Sequence, residues 1–145
     1  MIQYVRNVHK MRKYSLLLVT FASLFIFGTV SKTKSDNNQK EWTVPFSATI
    51  VKNKTTADAS SMDEGKRLYQ THCRSCHGTT GLGNGSKSGQ LKTEPGNFST
   101  LKFQSQTDGT LFFKTTEGRS DMPGFKKKLP DADDRWYIVN YMRTF

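Results

Sequence analysis

Apolar residues in the second half of the chain occur in short clusters that are separated by polar and glycine-rich segments. Three of these clusters predict helices, at about residues 61–73, 109–116 and 131–143. Between the first two, residues 78–89 contain five glycines, a density that disfavours regular structure. The pattern therefore predicts a mainly α fold of three to five short helices joined by long loops.

Local signals mark where these helices begin and end. Ser61 and Glu64 have the spacing of a capping box, with Ser61 as the N-cap of the first helix. Gly118 is placed to end the second helix, because glycine adopts the left-handed conformation of a C-terminal stop. The third helix is predicted to begin in the acidic turn at 131–134, which suits the positive end of the helix dipole.

The front of the chain has a different pattern, a basic stretch followed by an apolar run. The first 14 residues carry four basic side chains and no acid, and residues 15–30 carry no charge. This is the layout of a secretory signal. As a helix the run would rise ~24 Å, short of the ~30 Å hydrocarbon core of a bilayer. We predict that residues 1–31 are a signal peptide or an N-terminal membrane anchor held through residues 15–30. In either case the rest of the chain is exported, to the periplasm or the outer face of the cytoplasmic membrane.

Residues 32–60 are mostly polar and are predicted to form a tether in front of a domain at 61–145. Inside the tether, residues 42–46 form a small apolar island that contains Trp42 and Pro45. Because the residue before a proline favours an extended conformation, we expect the island to lie extended and to pack on the domain.

Composition and charge narrow the class of protein. The chain has 145 residues, enough for about one domain. A single long apolar run excludes a multi-pass membrane protein, and two cysteines exclude a disulfide-rich miniprotein. The net charge is +10. In an exported chain we expect no nucleic-acid partner, so the charge indicates either an ordinary solvated surface or a docking face for an acidic redox protein or anionic lipid.

The two cysteines carry the most specific chemistry, since Cys73 and Cys76 are followed directly by His77. A structural zinc site needs a fourth ligand that the chain does not offer nearby. A redox dithiol needs a strand before the pair and a helix after it. The spacing C-x-x-C-H is instead that of covalent haem attachment, in which the two thiols add to one porphyrin and the histidine is the proximal iron ligand. The sequence therefore predicts one haem c with its iron.

A methionine is the predicted distal ligand. Of the five methionines, two lie in the N-terminal region and two on predicted helices, where core packing is the usual role. Met122 instead lies in the loop at 118–125, which Pro123 stiffens. We expect Met122 and His77 to be the two axial ligands of the iron.

Together these motifs resemble the class I monohaem cytochromes c, and in particular an exported bacterial member. The resemblance covers roughly residues 60–145 and rests on four segments: 65–69, 73–78, 122–125 and 136–143. It implies a small cytochrome c fold wrapped around one haem, with Gly65 and Tyr141 meeting where the first and last helices cross. One departure concerns the hydrogen bond of the proximal histidine, which many relatives give to a proline carbonyl. This chain has Ser86 at that point, so we expect a carbonyl near Ser86 or Lys87 to take its place.

With both axial positions filled, the iron has no site for a substrate, which favours a one-electron carrier over an enzyme. We expect it to serve respiratory-chain or dehydrogenase partners. The alternative is a haem enzyme, or a gas- or peroxide-binding protein, with a labile distal ligand. Apolar residues are expected to line the haem: Leu91, Phe98, Leu101, Phe103, Leu111, Phe112 and Phe125. Basic residues are candidates for a rim that steers an acidic partner: Arg74, Lys87, Arg119 and Lys126 to Lys128.

Overall fold

The computed structural model describes residues 41–145. The predicted signal or anchor at 1–31 and the first part of the predicted tether lie outside the described residues. In the described part the helices are α1 (Phe46–Thr49), α2 (Ala59–His72), α3 (Arg74–His77), α4 (Leu101–Gln104), α5 (Asp108–Glu117) and α6 (Ala132–Met142). A 3₁₀ turn lies at Ser88–Gln90. The predicted mainly α class is confirmed, and the count is one above the predicted range because α1, α3 and α4 are single turns that no periodicity reveals. None of the helices in residues 41–145 has the length and apolar character needed to cross a membrane.

The first long helix begins earlier than predicted. Its N-cap is Asp58, whose Oδ1 accepts a hydrogen bond from the Ser61 backbone N–H at 2.9 Å. Ser61 lies inside the first turn, and its hydroxyl donates to the Thr56 carbonyl at 2.6 Å. Glu64 pairs with Arg67 instead of closing a capping box. The capping box was therefore a wrong prediction, because Asp58, three residues upstream, supplies the N-cap.

The other predicted helix ends are confirmed. Helix α5 ends with Gly118 as its C-cap, at a φ of 69° that glycine adopts without strain. Helix α6 begins after Asp131, whose side chain accepts a hydrogen bond from the Asp133 backbone N–H. Both signals are local, so they operate independently of the rest of the fold.

The core lies where α2 and α6 cross. A Cβ on Gly65 would stand 2.1 Å from the Tyr137 carbonyl oxygen and 3.2 Å from the Tyr141 Cβ, so glycine is required for this approach. The expected meeting of Gly65 and Tyr141 is thus confirmed. The buried core contains residues of both helices, one residue of α5 and residues of the connecting loops: Leu68, Tyr69, Phe98, Leu111, Phe125, Leu129, Trp136, Ile138, Val139 and Met142.

One of the residues expected to line a haem is on the surface. Leu101 is 89% exposed, whereas Phe98, Leu111 and Phe125 are buried. Leu101 opens α4, a single turn that directs its neighbour Phe103 toward the core and leaves Leu101 in solvent. Leu101 therefore does not belong to the buried core, and its place in the haem wall stays a prediction.

The described part of the predicted tether is residues 41–60, of which 41–58 precede α2 and lie against the helical core. Trp42 packs under Arg119, whose Cζ is 4.7 Å from the ring centroid. Residues 41–45 have no regular structure, and Phe46 then begins α1 rather than continuing the extended segment. The side chain of Asn53 donates to that of Asn140 on α6 at 2.6 Å. The predicted packing of the apolar island is confirmed for Trp42, and the limits of the tether stay a prediction.

Candidate functional site

The C-x-x-C-H motif occupies the corner between α2 and α3. Cys73 closes α2, with its N–H donating to the Tyr69 carbonyl at 2.8 Å, and its own carbonyl accepts from the His77 N–H at 2.9 Å. The single turn of α3 therefore holds Cys73, Cys76 and His77 on one short rigid segment. Both cysteines are free thiols and half-buried. Burial, with a smaller contribution from the Cys76 sulfur, raises the pKa of the Cys73 thiol to about 12.

His77 is the most buried polar group of the motif, at 8% exposure. Its ring centroid lies 4.5 Å from that of Phe98. Burial lowers the pKa of the imidazole to about 4, so the ring is neutral at physiological pH, the form that binds metals. Its Nδ1 is buried and has no hydrogen-bond partner among residues 41–145. The expected hydrogen bond from His77 to a carbonyl near Ser86 or Lys87 is therefore absent among the described residues.

The carbonyls of the motif are instead used by the glycine-rich loop that follows. The N–H groups of Gly83, Gly85 and Lys87 donate to the carbonyls of His77, Cys76 and Ser75, at 2.9, 3.1 and 2.8 Å. The loop wraps closely over α3, and a Cβ on Gly85 would stand 2.4 Å from the Ser75 carbonyl oxygen. We call residues 73–87 the proximal segment. It is a compact unit in which these loop-to-helix hydrogen bonds join residues six to twelve positions apart in the sequence.

The hydroxyl of Tyr69 adds a second constraint to this unit. It donates to the Gly78 carbonyl at 2.7 Å and is buried against Phe98 and Tyr141. Gly78 itself has a φ of 80°, which allows the chain to turn sharply as it leaves His77. The core of the protein thereby holds the backbone directly after the imidazole.

Met122 lies in the connection between α5 and α6, which we call the Met122 loop (residues 118–131). Met122 and Arg119 exchange backbone hydrogen bonds of 2.9 and 2.8 Å, which form a tight turn at the tip. The turn is closed at its base, where the Phe125 N–H donates to the Thr115 carbonyl at 3.0 Å and the Lys126 N–H to the Thr116 carbonyl at 3.3 Å. Met122 is half-buried, as the prediction of a methionine presented from a loop requires.

The two regions approach each other through their flanking residues. The ring of Phe125 in the Met122 loop lies 5.9 Å from that of His72, the residue before Cys73. Within residues 41–145 no cluster of three His, Cys, Asp or Glu side chains could hold a bare metal ion. The described donor set is therefore two thiols, a neutral imidazole and a thioether.

Comparison with known proteins identifies the family. The family model for cytochrome c oxidase, cbb3-type, subunit III matches residues 60–142. The chain belongs to this cytochrome c family. The predicted resemblance to monohaem cytochromes c and the predicted small cytochrome c fold are confirmed. Membership implies covalently bound haem and supports haem-based electron transfer.

A solved structure supports the same fold. A chain of the reducing HAO-like protein complex from Kuenenia stuttgartiensis superposes with a TM-score of 0.57 at 27% sequence identity. The match covers 62% of this chain and 46% of the other, so this cytochrome spans less than half the length of that neighbour. No curated protein sequence matches the chain.

The residues of the site fit the haem that the family implies. The two thiols are unbonded and lie on one turn, and the imidazole is neutral and inside the protein. A buried polar nitrogen without a partner is costly. No side chain among residues 41–145 competes for it. The environment is thus suited to a ligand histidine rather than to a histidine of the hydrogen-bonded core.

Sequence reasoning did not anticipate one buried charge close to this site. Arg135 on α6 is only 6% exposed and contacts the residues at both ends of the Met122 loop. The sequence offered no signal for this burial, because Arg135 follows Asp133 and Asp134 and so has the pattern of an exposed charged turn.

Proposed function

We propose that this cytochrome is a one-electron carrier whose single haem is attached to Cys73 and Cys76, with His77 and Met122 as axial ligands. The observation that carries the proposal is the proximal segment, where two free thiols and a neutral buried imidazole share a single turn of helix. Bound haem supplies a one-electron couple at its iron. The protein supplies the attachment, the ligands and the exclusion of other reactants.

Each residue has a distinct role in this proposal. The thiols of Cys73 and Cys76 fix the prosthetic group to the α2–α3 corner. The neutral imidazole of His77 and the Met122 thioether would both bind the iron, and with both bound no position would be left for small ligands. Thioether ligation favours the reduced iron and raises the potential. The half-buried position of Met122, in a turn held by reciprocal hydrogen bonds, supports this assignment.

The proposed partners are redox proteins outside the cytoplasmic membrane, reached after export directed by residues 1–31. The similar structure from Kuenenia stuttgartiensis is a protein complex, which supports a role as a subunit or partner of an oxidoreductase. Five exposed basic residues could contact an acidic face on such a partner: Arg74, Lys87 and Lys126 to Lys128. Arg119 differs, because it lies over the Trp42 ring. If docking is electrostatic, the second-order rate with an acidic partner falls as salt rises; an unchanged rate would remove this part of the proposal.

The ligand assignment is tested by spectroscopy of the full chain, produced with haem-attachment machinery. The ferric protein should show the weak red absorption band of methionine-ligated haem, and the ferrous protein should not bind carbon monoxide. The variant Met122→Leu should lose the band and bind carbon monoxide. Met62→Leu, at a half-buried methionine on α2, is the matched control and should retain wild-type behaviour.

The opposite outcome has a definite meaning. A wild-type protein without the band, whose ferrous form binds carbon monoxide, would support a haem enzyme or a gas- or peroxide-binding protein with a labile distal ligand.

A further inference from the structure

Arg135 lies in the first turn of α6 with its guanidinium inside the protein. Its Nε donates to the Thr116 Oγ1 at 3.2 Å, and its Nη1 donates to the carbonyls of Leu129 and Asp131, the latter at 3.1 Å. Its Cζ lies 5.3 Å from the centroid of the Phe112 ring. A guanidinium is well suited to such a position, because it presents several donors in one rigid plane.

The hydrogen-bond partners of Arg135 lie at the two ends of the connection between α5 and α6. Thr116 lies in the last turn of α5, where the chain enters the Met122 loop, and Leu129 and Asp131 lie where the chain leaves it. One side chain therefore joins the entry of the loop to its exit. Thr116 has a second role, since its carbonyl accepts the Lys126 N–H that closes the base of the turn.

A second arginine of α6, Arg143, has different partners and greater exposure than Arg135. Arg143, the C-cap of α6, forms an ion pair with Asp108 at 2.6 Å and donates to the carbonyls of Gln104 and Gln106. It is half-exposed and connects α6 to the α4–α5 region. Arg135 donates to carbonyls and a hydroxyl instead, and its burial costs desolvation that such bonds offset only while the loop keeps this conformation.

We infer that Arg135 is the positioning residue for Met122. By fixing both ends of the loop, its guanidinium limits the conformations of the loop to those in which the thioether is available as a ligand. The loop without these bonds would gain conformational freedom, and Met122 would be displaced more easily. This inference rests on the proposed role of Met122, and it adds the group that keeps that ligand in place.

The test compares variants of the full haem-loaded chain. Arg135→Met removes all the guanidinium bonds, and Arg135→Lys leaves an ammonium that lacks the planar fork. We expect Arg135→Met to retain covalent haem while its red ferric band weakens. Carbon monoxide binding by its ferrous form should increase about tenfold to a hundredfold, the range for losing a hydrogen bond to a charged group. Arg135→Lys should lie between Arg135→Met and the wild type.

Arg143→Met is the matched control for stability. It should lower the midpoint of denaturant unfolding but leave the band and carbon monoxide binding at wild-type values. Thr116→Val tests the entry contact separately, including the case in which Arg135→Met fails to accumulate, and should shift both readouts in the same direction as Arg135→Met, by less.

Each result bears on a different statement. If Arg135→Lys and Thr116→Val are destabilised yet keep wild-type spectra and carbon monoxide binding, Arg135 has only a structural role and the inference is overturned. If the wild-type protein itself lacks the methionine band, the assignment of Met122 fails. These two failures are distinguished by the wild-type spectrum alone.

Discussion

The proximal segment and the Met122 loop both make close glycine contacts, but different parts of the molecule hold them. The proximal segment is closed by bonds within itself, such as those from the Gly83 and Gly85 N–H groups to the His77 and Cys76 carbonyls. The Met122 loop is closed by α5 and α6, through Thr115, Thr116 and Arg135. The first conformation therefore rests largely on bonds within the segment, with added bonds from the Tyr69 hydroxyl to the Gly78 carbonyl and from the Phe98 N–H to the Gly81 carbonyl, whereas the second depends on the assembled helices.

The two proposed ligands also differ in burial, since His77 is more buried than Met122. His77 is inside the protein and rests on Phe98. In the Met122 loop, Phe125 and Leu129 are buried, but Met122 is only half-buried, and Pro123 and the lysines at 126–128 are exposed. Segments with few buried contacts open at lower free-energy cost than the core. We therefore expect the methionine side of this site to open before the histidine side.

The largest expected effect distinguishes the residues that attach the haem covalently from the residue that binds its iron. The double variant Cys73→Ser, Cys76→Ser removes both thiols and should contain no covalent haem, because no thioether can form. Met122→Leu should retain its haem covalently. Mass spectrometry of the denatured proteins, with haem staining after denaturing electrophoresis, measures this difference. Haem that remains covalently bound in the double serine variant would contradict the assignment of the proximal segment.

The next effect uses one glycine from each region. A Cβ at Gly85 would stand 2.4 Å from the Ser75 carbonyl oxygen, and one at Gly124 would stand 2.5 Å from the Glu117 carbonyl oxygen. We expect Gly85→Ala and Gly124→Ala each to lower the free energy of unfolding by about 1–3 kcal/mol, the usual cost of overpacking. Denaturant unfolding of the haem-loaded proteins measures it. Gly89→Ala is the control, since nothing lies within 4 Å of its added Cβ.

The spectra of the two glycine variants test whether the proximal segment and the Met122 loop are held independently. Gly124→Ala should weaken the red ferric band of methionine ligation, because the strain falls in the Met122 loop. Gly85→Ala should leave that band intact at a similar loss of stability. Equal loss of the band in both variants would show that the two regions are not held independently.

The sequence was most informative where the functional groups of a site are close together in the chain. The thiols and the imidazole of the motif are near neighbours in the chain, so one turn of helix suffices to bring them together. The helix ends at Gly118 and Asp131 were predictable for the same reason, as each depends on a glycine or a cap at that position. The start of α2 was misplaced because Ser61 and Asp58 both satisfy N-cap preferences. The structure favours Asp58, while Ser61 donates to the Thr56 carbonyl.

Long-range contacts account for what could not be predicted. Arginine is rarely buried, and the burial of Arg135 depends on Thr116 and Phe112 of α5, which only the folded chain brings to α6. Leu101 has the apolar character of a core residue, but in α4 it is Phe103 that packs against the core, and Leu101 is exposed. The orphaned Nδ1 of His77 also lay outside sequence reasoning, because it depends on where each loop carbonyl finally points.

The smallest effect concerns Asp58, whose carboxylate caps the start of α2, the helix that ends in the proximal segment. The Ser61 backbone N–H and, to a lesser degree, the Thr56 hydroxyl hold the pKa of this carboxyl below its ordinary value of 3.8. A carboxyl whose pKa is lower in the folded state stabilises the fold above the unfolded pKa. That contribution is lost as the pH falls through the folded value. Asp58→Asn keeps an N-capping side chain but removes the titration.

We therefore expect Asp58→Asn to unfold at a slightly lower denaturant concentration than the wild type near neutral pH, by less than either glycine variant. The difference between the two midpoints should shrink once the pH falls below 3.8, where the wild-type carboxylate is progressively protonated. The red ferric band at neutral pH should be unchanged, because Asp58 acts on the start of α2 and the Met122 loop is held by α5 and α6. A midpoint difference that stays constant across this pH range would show that the charge of Asp58 does not stabilise the helix. A change in the band would show that α2 also acts on the Met122 loop, so that the two regions are coupled through the core.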